Sequence, residues 1–409
     1  MIVMKNFKRA PGGVFWLLRV LLKPLLWCRY RISFNTETSK EIKENCLILM
    51  NHQASFDQLT MGLGFKFGIN FVADDLFFHK GIKSLFMKIF ARPISYSKGA
   101  PDYSAAKQII NVIEKGGAVG MFPEGTRSMY GKGGRIVSSA GKLAKRLKVP
   151  LVLVVQKGGY LTKPRWKEKS NKGRVSAEVV RVILPHELNK MSADEIQDVI
   201  EEKLYHNDFE YNEGKRIHFK SSNRAEHLES VLFYCPKCNA IDSLYSKKND
   251  FFCVSCSMCV RVNEFCTFDE VENAKGIPTS LLEWSEKQFE YVKNIIDYSL
   301  YTVKPLFLDE DVVLTLVEKS KKTSNSSKGR IELYNNRLRV CEKVFFIKDI
   351  KAFSIDGVSR LNIFLDNAVY AVECKAKTNL VKHVIVSCHL KDCLKGCGQF
   401  AGIVNKNLI

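Results

Sequence analysis

Five short, almost wholly apolar runs recur through the first 184 residues of this 409-residue chain, at 46–50, 69–73, 118–122, 150–155 and 175–184. Each reads as a strand, and their apolar character suits a mostly buried sheet. Between them lie stretches with helical spacing, at 58–65, 80–90, 103–114 and 138–147. Strand and helix in alternation predict an α/β domain whose mostly parallel sheet is flanked by helices. A closing amphipathic helix is expected at 191–205, where Ser192 followed by Glu195 has the pattern of a reciprocal N-terminal cap.

A chain of 409 residues suits two or three domains. Residues 210–223 are polar and charged, as in a linker or ordered loop, and 235–266 are rich in cysteine. The stretch 279–298 reads as a helix, with Leu281, Leu282, Trp284, Phe289, Val292 and Ile296 near helical spacing. Strands are then expected at 312–317, 330–334, 338–341, 344–347, 352–355, 362–365 and 368–374, with a loop at 319–329 and a last helix at 379–390. Short strands closed by a helix predict a small β-rich module, similar in strand count and terminal helix to pleckstrin-homology-like folds.

Lysine and arginine outnumber acids by 63 to 43, a net charge of +20, and this calls for a polyanionic partner, nucleic acid or an anionic membrane. With 46% hydrophobic residues, composition excludes a disordered chain. The first 36 residues carry Lys5, Lys8, Arg9, Arg19, Lys23, Arg29 and Arg31 and no acid. Their apolar stretch is interrupted by Arg19, Lys23 and Pro24, so it matches neither a signal peptide nor a spanning helix. An interfacial helix fits, with Phe15, Trp16 and Trp27 in lipid and the cations at headgroups. A helix packed on the domain is the other reading, and both can hold together. The cations are spread widely rather than clustered, which disfavours nucleic acid. Within 156–174, also basic, Tyr160 and Trp166 could meet headgroups or an acidic carrier, or the stretch is a solvated loop.

Thirteen cysteines, an odd number, include the two pairs Cys235/Cys238 and Cys253/Cys256 with fourteen residues between them. Two such knuckles offer four thiolates to a tetrahedral zinc, and the intervening residues can form a hairpin. Cys259 extends the second pair and is a rival ligand. Four cysteines leave no open position for water, so the ion would be structural. Cys46, Cys341 and Cys374 sit in apolar or strand-like surroundings and read as small buried hydrophobes.

His52 and Asp57 are separated by four residues in Asn-His-Gln-Ala-Ser-Phe-Asp, 51–57. On one helix they would sit ~140° apart, so the pair works only if His52 ends a strand and Asp57 opens the next helix. The carboxylate can then hold one ring nitrogen while the other deprotonates a hydroxyl. A second run, Phe-Pro-Glu-Gly-Thr-Arg-Ser at 122–128, also follows a buried strand. Its Arg127 offers a fork of donors suited to phosphate. In open α/β sheets, ligands gather at the carboxyl ends of strands, which would bring the two runs together.

The combination resembles the glycerolipid acyltransferases typified by 1-acylglycerol-3-phosphate acyltransferase. Residues 51–57 match the family's first motif, 122–128 its third residue for residue, and the apolar stretch around Pro150 its fourth. Its second motif is matched at 92–98, with Lys98 where the family usually has arginine. Relatives often carry lysine where Asp74 follows Ala73. The resemblance implies that His52 is the base and Asp57 its partner. It further implies that Glu124, Gly125, Thr126, Arg127 and Lys98 bind the acceptor's glycerol phosphate, and that Pro150 shapes the acyl pocket or the wall of the site. The reaction implied moves a fatty acyl chain from acyl-CoA or acyl-acyl carrier protein to a lysophospholipid, foremost 1-acylglycerol-3-phosphate, giving phosphatidate. Another lysolipid or glycerol phosphate is an alternative acceptor, and a non-catalytic membrane scaffold an alternative role. The expected organisation is a basic membrane-associating segment (1–36), an acyltransferase domain (37–222), a zinc ribbon (231–270), a connecting helix (278–299) and the β-rich module (300–409). The location expected is the cytoplasmic face of a membrane, as a monotopic or peripheral protein.

Overall fold

A computed structural model of the protein describes residues 10, 12–35, 37–74, 92–96, 103–299, 303–317, 326–357, 359–374 and 378–395. The chain divides into two compact units. The first comprises Met1–Ser128, Lys132–Thr162 and Lys172–Lys215, and the second Met129–Gly131, Lys163–Asn171 and Arg216–Ile409.

Among the described residues the first unit is built on seven strands: β1 (Ile32–Asn35), β2 (Leu47–Met50), β3 (Ile69–Asp74), β4 (Ile94–Tyr96), β5 (Ala118–Met121), β6 (Leu151–Lys157) and β7 (Val175–Ile183). Their order is β1-β7-β6-β2-β5-β3-β4. From β6 through β4 the strands are parallel, and β7 runs antiparallel to β6. Among the described residues the helices are α1 (Gly12–Tyr30), α2 (Asp57–Gly64), α3 (Tyr103–Glu114), α4 (Ala140–Leu147), α5 (Gly159–Thr162), α6 (Pro185–Lys190), α7 (Ala193–Leu204) and α8 (Asp208–Lys215). On one face of the sheet, Leu47, Leu49, Leu151 and Leu153 pack with Ile109 of α3, Ala144 of α4 and Ile196 and Ile200 of α7. On the other, Ile48, Met50, Val152 and Val154 pack with Met61 of α2 and Phe65. Burial on both faces is why these strands are written as unbroken apolar runs. The cap of α7 is reciprocal: Ser192 Oγ accepts from Glu195 N, and a Glu195 carboxylate oxygen accepts from Ser192 N.

Pro24 lies inside α1, which is one helix. Leu26 packs with Ile32, Ala54, Phe56, Leu63 and Val175, and Tyr30 stacks on Phe56 at 4.5 Å. Trp16, Leu17, Val20, Leu21, Leu25 and Trp27 stay exposed, while the side chain of Phe15 is outside the described set. A packed face and an exposed apolar face therefore coexist. No helix among the described residues is long and apolar enough to cross a membrane.

The second unit contains two antiparallel sheets. Four strands, β8 (Leu244–Lys247), β9 (Asp250–Cys253), β10 (Cys259–Val262) and β11 (Phe268–Glu272), lie in the order β11-β10-β9-β8. Seven more are β12 (Phe307–Leu316), β13 (Ser326–Leu333), β14 (Arg337–Val340), β15 (Lys343–Phe346), β16 (Ala352–Asp356), β17 (Arg360–Phe364) and β18 (Val369–Cys374). They form a four-strand and a three-strand meander joined where β12 pairs with β18. The unit's helices are α9 (Leu281–Ser299), with Leu281, Trp284, Phe289, Val292 and Ile296 buried, and α10 (Leu380–Lys395).

Two expectations are corrected. The polar stretch at 210–223 is not all linker, because α8 occupies Asp208–Lys215, with Asp208 and Asn212 buried. The loop expected at 319–329 is shorter: Ser326, Ser327, Lys328 and Gly329 pair with β12, while 319–325 lie outside the described residues. Composition misled there because these strand residues have outward or edge positions that tolerate polarity. The helix expected at 80–90 also lies outside the described residues.

Candidate active site

Three neighbouring parallel strands, β5, β2 and β6, end side by side, and each delivers polar groups at its carboxyl end. After β2 come Asn51 and His52, and the fully buried Asp57 opens α2. Asp57 Oδ2 lies 2.8 Å from His52 Nδ1. The same carboxylate accepts from Gln53 N at 2.7 Å, from Ala54 N at 2.9 and 3.0 Å, and from Gln156 Nε2 at 2.6 Å. Three N–H donors and an imidazole fix the carboxylate in one orientation. His52 keeps its side chain 15% exposed while Asp57 has none, so the ring is the accessible member of the pair.

Gln156 escaped the sequence reading. It is fully buried near the end of β6, and the Asn51 side chain brackets its main chain, accepting from Gln156 N at 2.8 Å and donating to Gln156 O at 2.9 Å. Gly159 leaves room for it: a side chain there would place its first carbon 2.3 Å from Gln156 Nε2. The available signal was a glutamine ending the apolar run 150–155, since a buried amide demands partners.

The 122–128 run clasps His52 from both sides of its peptide. Glu124 Oε1 accepts from His52 N at 2.8 Å, and Ser128 N donates to His52 O at 2.8 Å. The Phe122 ring stacks on the imidazole at 4.3 Å and 19°. Gly125 N closes the turn on Phe122 O at 3.0 Å, with Gly125 at φ +69°, a region where glycine is unstrained. The second Glu124 oxygen accepts from Gly134 N at 2.7 Å. Burial pushes the Glu124 carboxyl up to about 8, against the hydrogen bonds from Gly134 and His52, and the neighbouring Asp57 charge adds to the rise. Gly125 is exposed, and Thr126 and Arg127 are half-buried.

The remaining expected site residues are placed differently. Lys98 lies outside the described residues, as does the side chain of Asp74. Pro150 is not brought to His52. It precedes β6, accepting through its carbonyl from Leu47 N at 3.0 Å, at the amino end of the strands. That is roughly 17 Å along the sheet from the dyad at 3.3 Å per residue. Tyr160 and Trp166 are 1% and 5% exposed and therefore unavailable to headgroups.

In the second unit, the sulfurs of Cys235, Cys238, Cys253 and Cys256 all lie within 4.8 Å of one another. The Cys235–Cys256 and Cys238–Cys253 separations are 3.9 and 3.7 Å. A zinc–sulfur bond of about 2.3 Å requires tetrahedral edges of about 3.8 Å, so the donor set fits that ion. The β8/β9 hairpin joins the two knuckles, and Cys259 lies on β10 with its sulfur near the Val260 carbonyl, outside the four. Cys46 and Cys341 are buried and Cys374 partly so.

Residues 31–157 match the family model described as acyltransferase. The chain is 29% identical over 139 residues to a 1-acyl-sn-glycerol-3-phosphate acyltransferase of Bacillus subtilis (strain 168), across 34% of this chain and 68% of that protein. Among solved structures it is similar to the 1-acyl-sn-glycerophosphate (LPA) acyltransferase of Thermotoga maritima, with 21% identity and a TM-score of 0.39. That match covers 47% of this chain and 75% of the other.

Proposed function

The chain belongs to the glycerolipid acyltransferase family and is an O-acyltransferase, and from that premise we propose that it acylates 1-acylglycerol-3-phosphate to phosphatidate. The observation that carries this reading is the His52–Asp57 contact at 2.8 Å, clasped by the 122–128 turn. The ring nitrogen of His52 not paired with Asp57 takes the acceptor's hydroxyl proton as that oxygen attacks the thioester carbonyl. The tetrahedral intermediate collapses by breaking the carbon–sulfur bond, and the proton on His52 passes to the leaving thiolate. Asp57 fixes the ring and stabilises its transient charge. Gly125, Thr126 and Arg127, with Lys98, bind the glycerol phosphate. Glu124 contributes by holding His52 and the 134 region, its oxygens being engaged by main-chain N–H groups. The acyl donor is acyl-CoA or acyl-acyl carrier protein.

The exposed apolar face of α1, with Arg19, Lys23 and Arg29 on the same helix, supports peripheral docking on an anionic membrane from the cytoplasmic side, where the amphiphilic acceptor resides. Cys235, Cys238, Cys253 and Cys256 would hold a structural zinc that supplies folding free energy and no catalytic step. Metal analysis should find one zinc per chain, and Cys238→Ser should lose it; metal-free protein purified under reducing conditions would refute the site.

Acceptor identity is tested by offering a labelled acyl thioester with 1-acylglycerol-3-phosphate, other lysolipids and glycerol phosphate in parallel. The highest kcat/KM should fall on 1-acylglycerol-3-phosphate. A higher value for another acceptor would replace that substrate.

A further inference from the structure

We propose that Asp208 is a positioning residue for the His52–Asp57 pair, and that the segment 206–208 pins both polar runs of the site at once. The inference rests on the reading that this pair performs the chemistry.

The Asp208 carboxylate is fully buried. Its Oδ1 accepts from Gly158 N at 2.7 Å and lies 2.7 Å from His206 Nε2, and its Oδ2 accepts from Tyr160 N at 2.8 Å and Leu161 N at 3.1 Å. A buried carboxylate is costly unless it is so partnered. Three of the partners are main-chain N–H groups around the start of α5, the kind a helix cannot satisfy internally. That turn leaves β6 through Gly158 at φ +75° and contains Gly159, which packs against Gln156 and Gln53. Capping it sets where β6 ends, and hence where Gln156 Nε2 stands beside Asp57. This is one arm of the clasp.

The other arm is main chain. The His206 carbonyl accepts from Gly133 N at 2.8 Å, and Asn207 forms a bridge with Lys132. The next residue, Gly134, donates to Glu124, whose other oxygen holds His52 N. One arm thus reaches the dyad at Asp57 and the other at the His52 peptide. His206 links them through its ring contact with Asp208.

The test is a double-mutant cycle on the full chain with Asp208→Asn and Gln156→Met. Asp208→Asn keeps the volume but turns an amide donor toward a cluster of donors. It should lower kcat on the order of 30-fold with KM within about twofold in the native background, and less than about threefold where Gln156→Met has already removed the relay. An equal fold-loss in both backgrounds, or a change confined to thermal stability, would show a merely structural carboxylate and overturn the proposal. Should Asp208→Asn fail to fold, His206→Gln provides the milder probe. It should cost roughly fivefold in kcat, again suppressed beside Gln156→Met, and equal losses would overturn the proposal just as directly. His52→Ala, assayed alongside, reads the parent assignment separately: retained activity there sinks the dyad, whatever the cycle returns.

Discussion

The His52–Asp57 pair of the first unit and the His383–Asp309 pair of the second differ in what surrounds them rather than in the contact itself. His52 and Asp57 meet at 2.8 Å, and His383 of α10 meets Asp309 of β12 more closely, at 2.5 Å. His383, however, has no exposed side-chain surface, and its Nδ1 has no hydrogen-bond partner. Lys382 shares the Asp309 carboxylate at 2.9 Å and also pairs with Asp242. Burial holds the His383 imidazole below its ordinary range despite Asp309. No hydroxyl can approach such a ring, and a fixed cation already occupies its carboxylate. At His52 the carboxylate is buried among neutral donors while the ring remains accessible and lies beside a phosphate-suited turn. Access and a polar neighbouring turn, not contact distance, are what the proposed role of His52 rests on.

The comparison breaks first at the carboxylates. Asp57→Asn should lower kcat on the order of 10³–10⁴-fold, because the amide no longer fixes the ring's tautomer and charge. Asp309→Asn should leave kcat within about twofold but destabilise the protein by roughly 3 kcal/mol, by leaving Lys382 poorly compensated. Matched kinetics and denaturant unfolding of both variants read this directly; a large kcat loss at Asp309 would erase the distinction. Next in size, Gln156→Met should cost about tenfold in kcat with little change in KM, since it removes a donor from Asp57 without touching the acceptor.

The smallest effect concerns Glu124. Burial raises its carboxyl from 4.5 to about 8, so the folded protein retains a proton that the unfolded chain releases. Stability from this group is full below about 4.5 and is lost as pH rises toward about 8. Glu124→Gln, uncharged throughout, should flatten that slope by roughly 2–4 kcal/mol between pH 5 and pH 8. An unchanged slope in denaturant midpoints would mean that Glu124 is ionised in the fold.

Much of the first unit could be read in advance because largely buried strands write themselves as mostly apolar runs, and five such runs match strands to within two residues at their ends. The His52–Asp57 contact was legible because a spacing that separates the two on one helix brings them together across a strand-to-helix switch. The contacts of Glu124 were not, since its partners are the N–H groups of residues 52 and 134, which have no side-chain signature. The distance of Pro150 from His52 was not legible, because an apolar run marks a strand without saying which of its ends a residue occupies. Asp208 falls in the gap between the helix expected at 191–205 and the polar stretch at 210–223, and its carboxylate is turned inward onto the turn after β6. Polar groups that act on main chain far away in sequence are the ones that composition and spacing leave invisible.

We propose that His52 is the base for transfer of an acyl chain to a glycerolipid hydroxyl. The most direct test measures labelled phosphatidate formed from an acyl thioester and 1-acylglycerol-3-phosphate by native protein and by His52→Ala. Robust product is expected from the first and a loss on the order of 10³-fold or more in the second, with unfolding of the two proteins unchanged. Comparable product from both would contradict it.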